Sequence, residues 1–424
     1  MALSNQPPKG TSDWLPDEYA IRKYIFDTWR TVCERFGYKE YLTPIVESAD
    51  IYRAKSGEDV GGKELMTMVD RAGRELAIRP EMTPSVTRMV SRIYDSAPKP
   101  IRLFSIANFL RNEKPQRGRN REFWQLNFDV FGSDSVNADI EILQMALEIM
   151  LSFRPPQGSF KLFVNNRRLI DAVMIDLANI KAEHRAEVVR TMDKWEKMEL
   201  VAIKQRLTEI GVDATQIDIL VKFMQSASDT QLAENLPQLI NNDAFIETKQ
   251  IIDQLIGLGY QGWVEFKPNV IRGFDYYDGM IFEVFDTHLD NNRSMFGGGR
   301  YNGLASLFGG SSFPAVGSAP GDETTRIFLE SWNLLVNAKQ KAETYYLPLL
   351  DESSTEAVAK LAAKLRSEGN RVEAGFEVQK LGKALEYASK SGVTYTVIFG
   401  DQEQAIGKFK LKNMVSGEEQ LLDL

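Results

Sequence analysis

The sequence is nearly devoid of cysteine and of histidine. Cys33 is the single cysteine among 424 residues, so no disulfide can form within the chain. It stands between Val32 and Glu34 in a helical pattern, which reads as a buried or half-buried structural thiol. A chain this poor in cysteine fits a reducing, cytoplasmic compartment. The only histidines are His184 and His288, and with no Cys/His cluster the sequence offers no structural zinc site. Neither histidine lies near a nucleophile-elbow pattern, which argues against a Ser-His-Asp hydrolase. No apolar run approaches the ~20 residues needed to span a bilayer. The opening Met1 to Gly10 lacks the charged-then-apolar pattern of a signal peptide. Excess positive charge is missing as well. The net charge is −8, so a nucleic-acid partner would have to be held by local basic patches. There is no internal repeat and no low-complexity tract.

The chain is long enough for two or three domains, and 43% apolar with 26% charged residues is ordinary for a globular protein. Asp17 to Phe36 has apolar residues near helical spacing, with Pro16 at the entry and Gly37 at the exit. Tyr38 to Ile45 and Ala77 to Glu81 read as strands, each meeting a proline. Ile101 to Phe131 reads as a long antiparallel hairpin. Arg102 to Arg111 alternates, Asn112 to Asn120 is polar, and Arg121 to Phe131 alternates again with Phe123, Gln125, Asn127 and Asp129 on one face. A helix follows over Asn137 to Leu151. From about Asn165 to Leu258 helix formers and charges dominate, which reads as a helical insertion. The β pattern resumes over Phe266 to Ile271 and Tyr277 to Phe285, and Thr324 to Val336 reads as a helix. Beyond Glu343, strands at Tyr345–Leu350, Arg371–Glu373 and Tyr395–Gly400 alternate with helices at Ser354–Ser367 and Leu381–Ser391. That alternation predicts a separate small α/β unit.

The hairpin loop carries the clearest chemical signal. Arg111, Lys114, Arg117, Arg119 and Arg121 crowd five cations into eleven residues. Repulsion opposes such crowding unless an anion is expected. A solvated loop tip is one explanation and a polyphosphate clamp the other. Arginine suits the clamp because its planar fork can hold two phosphate oxygens at once.

Phe109-Leu110-Arg111-Asn112-Glu113 followed by Pro115 to Phe123 resembles motif 2 of the class II aminoacyl-tRNA synthetases, in its histidine-specific form. Arg79-Pro80-Glu81-Met82-Thr83 resembles the family's substrate-contact segment. Val270 to Tyr277 (Val-Ile-Arg-Gly-Phe-Asp-Tyr-Tyr) and Gly297 to Leu304 (Gly-Gly-Gly-Arg-Tyr-Asn-Gly-Leu) resemble two signatures of the histidyl-tRNA synthetases, and Lys9 to Asp13 also fits. The resemblance runs essentially end to end. It implies an α+β fold: a mostly antiparallel sheet flanked by helices, a helical insertion, and a C-terminal α/β domain resembling an anticodon-binding domain. The expected divisions are 1–164 with 259–335, 165–258, and 343–424. It implies activation of L-histidine with ATP and Mg2+, then transfer to tRNA(His), by a homodimer whose interface includes the helix Asp17–Phe36 and the strand ending at Pro44.

Site roles follow from the same resemblance. Arg272 and Arg111 would be catalytic, with Arg111 on the α-phosphate. Glu113, Arg119, Arg121 and Phe123 would complete the ATP site, with Phe123 stacked on adenine. Glu81, Thr83, Gln125, Asp129, Tyr277 and Tyr301 would line the histidine pocket, while Tyr276 reads as core packing. Gln116 and Arg117 would meet the tRNA acceptor end. The chain departs from the family in motif 3. Thr324 stands near the place of an arginine that sandwiches adenine, and Arg326 lies two residues on, facing elsewhere. A catalytically silent relative, such as the regulatory subunit of ATP phosphoribosyltransferase, is the alternative. Such relatives typically lack the C-terminal unit and tend to lose the clamp arginines, which are present here.

Arg272→Ala is expected to lower the rate of histidine activation roughly 10²–10³-fold, the scale for losing one preorganised charge donor. Histidine affinity should change less, because the opposing charge develops in the transition state. Near-normal turnover of the variant in a pyrophosphate-exchange assay would make Arg272 a structural residue.

Overall fold

The computed structural model describes residues 3–54, 59–271, 276–291, 293–309, 312–335 and 343–423. Arg272 lies outside these residues. The chain divides into two compact units, Met1–Lys339 and Gln340–Leu424.

Strands of the first unit are β1 (Lys39–Glu40), β2 (Val46–Ser48), β3 (Met66–Val69), β4 (Glu75–Ile78), β5 (Ile101–Leu110), β6 (Glu122–Phe131), β7 (Phe160–Asn166), β8 (Val264–Phe266), β9 (Met280–Asp286), β10 (Arg293–Arg300) and β11 (Ala315–Ser318). Eight of them form one sheet in the order β1-β5-β6-β11-β10-β9-β7-β8. Only the outer pairs β1/β5 and β7/β8 are parallel. The interior pairs are antiparallel, as the family resemblance implies. β2, β4 and β3 make a small antiparallel sheet.

The β5/β6 hairpin sets the geometry of the unit. Its register runs unbroken from Ile101 opposite Phe131 to Leu110 opposite Glu122. Side chains alternate between sheet faces, so Leu126, Phe128 and Val130 turn to one side. There they join the apolar core with Ile25, Trp29 and Val32 of the helix Pro16–Arg35 and Leu143 and Leu147 of the helix Val136–Leu151. Pro16 opens the first of these helices, and the Glu18 carboxylate accepts the Leu15 N–H at 3.3 Å. Cys33 is fully buried in this core, and burial pushes its thiol pKa up. Between β7 and β8 the chain is helical, with helices including Ala182–Met192, Leu200–Ile210, Ala214–Met224 and Asp243–Leu255. Val188, Ile203, Leu207, Phe223 and Ile251 belong to the same continuous core. Each fully buried side chain of this size contributes about 1.5–3 kcal/mol.

Several expected strands are shorter in the structure: Ala77–Glu81 stops at Ile78 and Tyr277–Phe285 starts at Met280, and two more shorten for identifiable reasons. Of Tyr38–Ile45 only Lys39–Glu40 pairs with β5. The Thr43 carbonyl accepts from the Arg79 guanidinium at 2.9 Å in place of a strand neighbour, and Pro44 has no N–H to offer. Of Phe266–Ile271 only Phe266 is in a strand. Beyond it, the Asn165 side-chain amide donates to the carbonyls of Pro268 and Val270, both at 3.1 Å. The glycines at 297–299 lie inside β10. An added Cβ would meet the Phe282 carbonyl oxygen at 2.5 Å, that of Gly317 at 2.2 Å and that of Met280 at 2.6 Å, taking the three in turn. Neighbouring strands press too close for any other residue.

In the second unit the strands are β12 (Thr344–Leu349), β13 (Arg371–Val378), β14 (Tyr395–Ile398), β15 (Lys408–Asn413) and β16 (Glu419–Asp423), ordered β13-β12-β14-β15-β16. The first three are parallel and the last two add an antiparallel hairpin. Helices Thr355–Ser367 and Leu381–Ser391 complete it. The closing hairpin was not anticipated, although Lys408-Phe409-Lys410-Leu411-Lys412 has the period of two that marks a strand.

At the end of β10, Arg300 is buried against Asp139 near the start of the helix Val136–Leu151. Its Nε and Nη2 donate to the carboxylate at 2.9 and 2.7 Å, and Nη1 donates to the Ser133 carbonyl at 3.0 Å. Burial raises the Asp139 pKa to about 6 even though Arg300 opposes the shift. Arg300→Ala would leave that carboxylate without its cation, and should destabilise the chain by about 3–5 kcal/mol in denaturant unfolding. A loss below about 1 kcal/mol would show that the pair does not secure β10.

Candidate active site

On the face of β6 away from the core, Gln125, Asn127 and Asp129 form the floor of a cleft of about 1320 Å³. That volume exceeds the usual ~300–1,000 Å³ of a single small-molecule pocket. Its lining brings together all six residues expected to hold histidine: Glu81, Thr83, Gln125, Asp129, Tyr277 and Tyr301. Arg111 and Arg119 line it too. Gln116, Arg117, Glu113, Arg121 and Phe123 are not part of the lining.

Why these residues converge is visible locally. Arg79 is buried and donates to the carbonyls of Thr43 and Asn108, both at 2.9 Å. Those bonds fix the segment ahead of Pro80 and Glu81, and the helix Thr83–Ser91 begins directly after it. Arg111 donates from Nε to the Pro80 carbonyl at 3.0 Å, so the first clamp arginine is tied to the segment that carries Glu81. The N-terminal stretch closes the other side of the hairpin, with the Gly10 carbonyl accepting from the N–H groups of Arg121 and Glu122.

Electrostatics distinguish the cleft from an ordinary polar surface. Asp129 is buried, and desolvation raises its pKa to about 7 while a hydrogen bond from Tyr301 pulls it down. The Tyr301 hydroxyl donates to Asp129 Oδ1 at 2.6 Å. Gly317 lies directly across, where a Cβ would stand 2.0 Å from that oxygen. Asp129 Oδ2, Asn127 Oδ1 and Gln125 Oε1 have no hydrogen-bond donor among the described residues. Buried acceptors without donors are costly, and a donor-rich ligand can supply what they lack. Glu81 is buried as well and accepts from the Tyr276 hydroxyl at 2.9 Å. Tyr276 is therefore more than core packing, because it aims the Glu81 carboxylate. Asn127 joins this floor beyond the residues the resemblance implies, and its place between Gln125 and Asp129 on one strand face is the sequence signal for it.

The phosphate-clamp residues are less gathered. Glu113 is half-buried, and its pKa is raised by burial and by neighbouring Glu64. Arg121 donates from Nε to the Glu113 carbonyl at 3.1 Å. The Phe123 ring stacks on Phe109 at 5.7 Å, and the Arg111 guanidinium lies 5.0 Å over it. In this structure Phe123 supports Arg111. At the motif 3 position Thr324 donates its hydroxyl to the carbonyl oxygens of Met295 and Gly321 at 3.0 and 3.2 Å. Arg326 is held by Glu323 and Glu330 on its own helix and does not line the cleft.

Two family models match the chain. Histidyl-tRNA synthetase matches residues 10–321 and an anticodon binding domain matches residues 335–424. A histidine–tRNA ligase of Leptospira biflexa is 38% identical over 98% of this chain and 94% of its own length. One from Thermococcus kodakarensis is 34% identical over 98% and 95%. Among solved structures, a histidyl-tRNA synthetase from Nostoc sp. PCC 7120 superposes with a TM-score of 0.83 at 23% identity, over 100% of this chain and 97% of that one. An ATP phosphoribosyltransferase regulatory subunit/histidyl-tRNA synthetase from Bacillus halodurans gives 0.75 at 21%, over 92% and 97%. At those identities the structures speak for the fold.

The raised Asp129 pKa has a measurable effect on stability. Between the unfolded value of 3.8 and the folded value of about 7, the folded chain holds a proton that the unfolded chain has released. Stability is therefore lost as pH rises through that window, and above it the buried charge opposes folding by roughly 4 kcal/mol. Thermal melts of the ligand-free Asp129→Asn variant should show a gain in Tm at pH 8 roughly two- to threefold larger than at pH 5. Equal gains at the two pH values would mean that the carboxylate is already ionised at pH 5 in the folded cleft, with its pKa not raised by burial.

Proposed function

The chain belongs to the histidyl-tRNA synthetase family, and on that premise we propose how its cleft joins histidine to tRNA(His). It is a ligase that attaches histidine to this tRNA. The carrying observation is the floor of buried acceptors at Gln125, Asn127 and Asp129, set beside two arginines of the hairpin. The histidine substrate brings an ammonium group and a ring N–H. Glu81, Thr83 and Gln125 take the ammonium, and Asp129 with Tyr301 and Tyr277 takes the ring. A site that pairs both polar ends rejects substrates that would leave buried groups unpaired.

Activation is attack of the histidine carboxylate on the α-phosphorus of ATP, with pyrophosphate leaving. No protein nucleophile is required. The chain supplies alignment and positive charge where negative charge accumulates. Arg111, tied to the Pro80 carbonyl, holds the α-phosphate next to the amino-acid pocket. Arg119 and Arg121 would take the outer phosphates and Arg272 would be the second catalytic cation, while Phe123, packed here against Phe109 and Arg111, would meet adenine once Arg111 turns to the α-phosphate. ATP carries magnesium, which would neutralise phosphate charge. Glu113 offers that ion a carboxylate, and one or two carboxylates plus the nucleotide's own phosphates suffice for magnesium.

Transfer needs the acceptor end of the tRNA at the cleft, which Gln116 and Arg117 at the hairpin tip would meet, while residues 343–424 bind the anticodon. We assign residues 1–164 and 259–335 to catalysis and 165–258 to a helical insertion. The protein acts as a cytoplasmic homodimer, with the helix Pro16–Arg35 and the chain around Leu42 and Ile45 at the contact. Leu42 and Ile45 are exposed, as an unpaired interface would leave them. The silent regulatory reading is not favoured. Residues 335–424 match an anticodon binding domain, and Arg111 and Arg119 reach the cleft.

The test is histidine-dependent exchange of pyrophosphate into ATP, followed by charging of tRNA(His). Exchange should proceed despite Thr324, because a stacked arginine contributes only about 0.5–2 kcal/mol against several phosphate contacts of about 1.5–3 kcal/mol each. A folded protein that binds histidine but shows no exchange at millimolar ATP would restore the regulatory alternative.

A further inference from the structure

Arg293 opens strand β10 and packs against the hairpin tip. Its Nη1 donates to the Arg117 carbonyl at 2.7 Å. The adjoining Gly118 has a φ of 75°, and a Cβ there would stand 2.7 Å from the same nitrogen. The glycine is what lets the guanidinium seat itself against the loop backbone. Burial lowers the Arg293 pKa, and the charges of Arg119 and Arg117 lower it further. Three arginines from two separate elements thus repel one another at one place. Among the described residues only Arg119 of the three has a carboxylate within reach, Glu113 at 3.9 Å. Arg117 spends one donor on the Asp290 carbonyl at 3.4 Å.

A cluster of like charges that the protein itself leaves almost uncompensated is unfavourable until an anion arrives. Planar guanidinium groups set side by side suit an anion with several oxygens. Arg119 also lines the cleft, so the cluster stands at its rim. At the motif 3 position, Thr324 bonds only backbone and Arg326 is neutralised on its own helix. The rim arginines are therefore available for a second phosphate contact beside the hairpin.

We propose that Arg293 joins Arg117 and Arg119 in a phosphate-binding site at the rim of the cleft. The ligand chemistry is a phosphate group, from either of two sources: the outer phosphates of ATP or the backbone of the tRNA acceptor end. The proposal rests on the ligase reading above, which wild-type exchange activity tests separately. Three variants decide it. Arg293→Gln keeps a donor for the Arg117 carbonyl and loses the charge. Arg293→Ala loses both, and Arg293→Lys keeps the charge. If ATP is the source, the Gln and Ala variants should raise the KM for ATP in pyrophosphate exchange roughly 10-fold, the scale of one charge-assisted contact. If RNA is the source, that KM should hold, the KM for tRNA should rise, and the salt dependence of tRNA binding should weaken by about one phosphate contact. Lys should recover part of either loss. The proposal is overturned if the Gln variant matches wild type in both assays, whether or not Ala fails, because Arg293 would then be only a brace for the loop.

Discussion

The unbroken antiparallel ladder between β5 and β6 is the constraint on which the catalytic unit depends. Its period of two sends Leu126, Phe128 and Val130 into the core and Gln125, Asn127 and Asp129 into the cleft. A slip of one residue would exchange the two sets. The same ladder fixes where the arginine-bearing loop emerges. It also presents Asn108, whose carbonyl anchors Arg79 and through it the Glu81 segment. One pairing therefore sets the cleft floor, the arginine-bearing loop and the Glu81 segment.

Charge in this molecule is placed where burial makes it matter. The overall charge is −8, yet the cleft has arginines at its rim and acids at its floor. Asp129 and Glu81 are both buried and both held by tyrosine hydroxyls. Tyrosine can orient a carboxyl group without supplying a counter-charge, which a cationic ligand can then provide. Arg300 and Asp139 show the opposite use, a buried pair closed on itself that locks the end of β10, just before Tyr301, to a helix. The low dielectric of these positions strengthens both uses and makes each intolerant of losing one partner.

Close backbone approach is the third element. Gly297, Gly298, Gly299 and Gly317 lie where the four strands β6, β11, β10 and β9 press together beside the cleft. A side chain at Gly317 would occupy the place of the Asp129 carboxylate. The glycines thus make room for acids as well as for substrate.

Much of this was legible in the residues themselves. The strand period from Ile101 to Phe131, the five cations of its loop, the helical stretch after Asn165 and the α/β alternation after Glu343 are local patterns, and each appears where the pattern puts it. The residues expected to hold histidine were legible only through family motifs, since Glu81 alone resembles any surface carboxylate after a proline and Asp129 any strand-face acid. What tertiary structure decided depends on partners remote in sequence. Tyr276 meets Glu81 across 195 residues, which no local pattern encodes. Residues Tyr41 to Ile45 fail to extend β1, because a guanidinium 36 residues away claims the Thr43 carbonyl. Arg293 lies 176 residues from the loop carbonyl it holds. Periodicity fixes which face a side chain takes within its own element. Only the packing of elements decides which charges then stand together, and how far water is excluded from them.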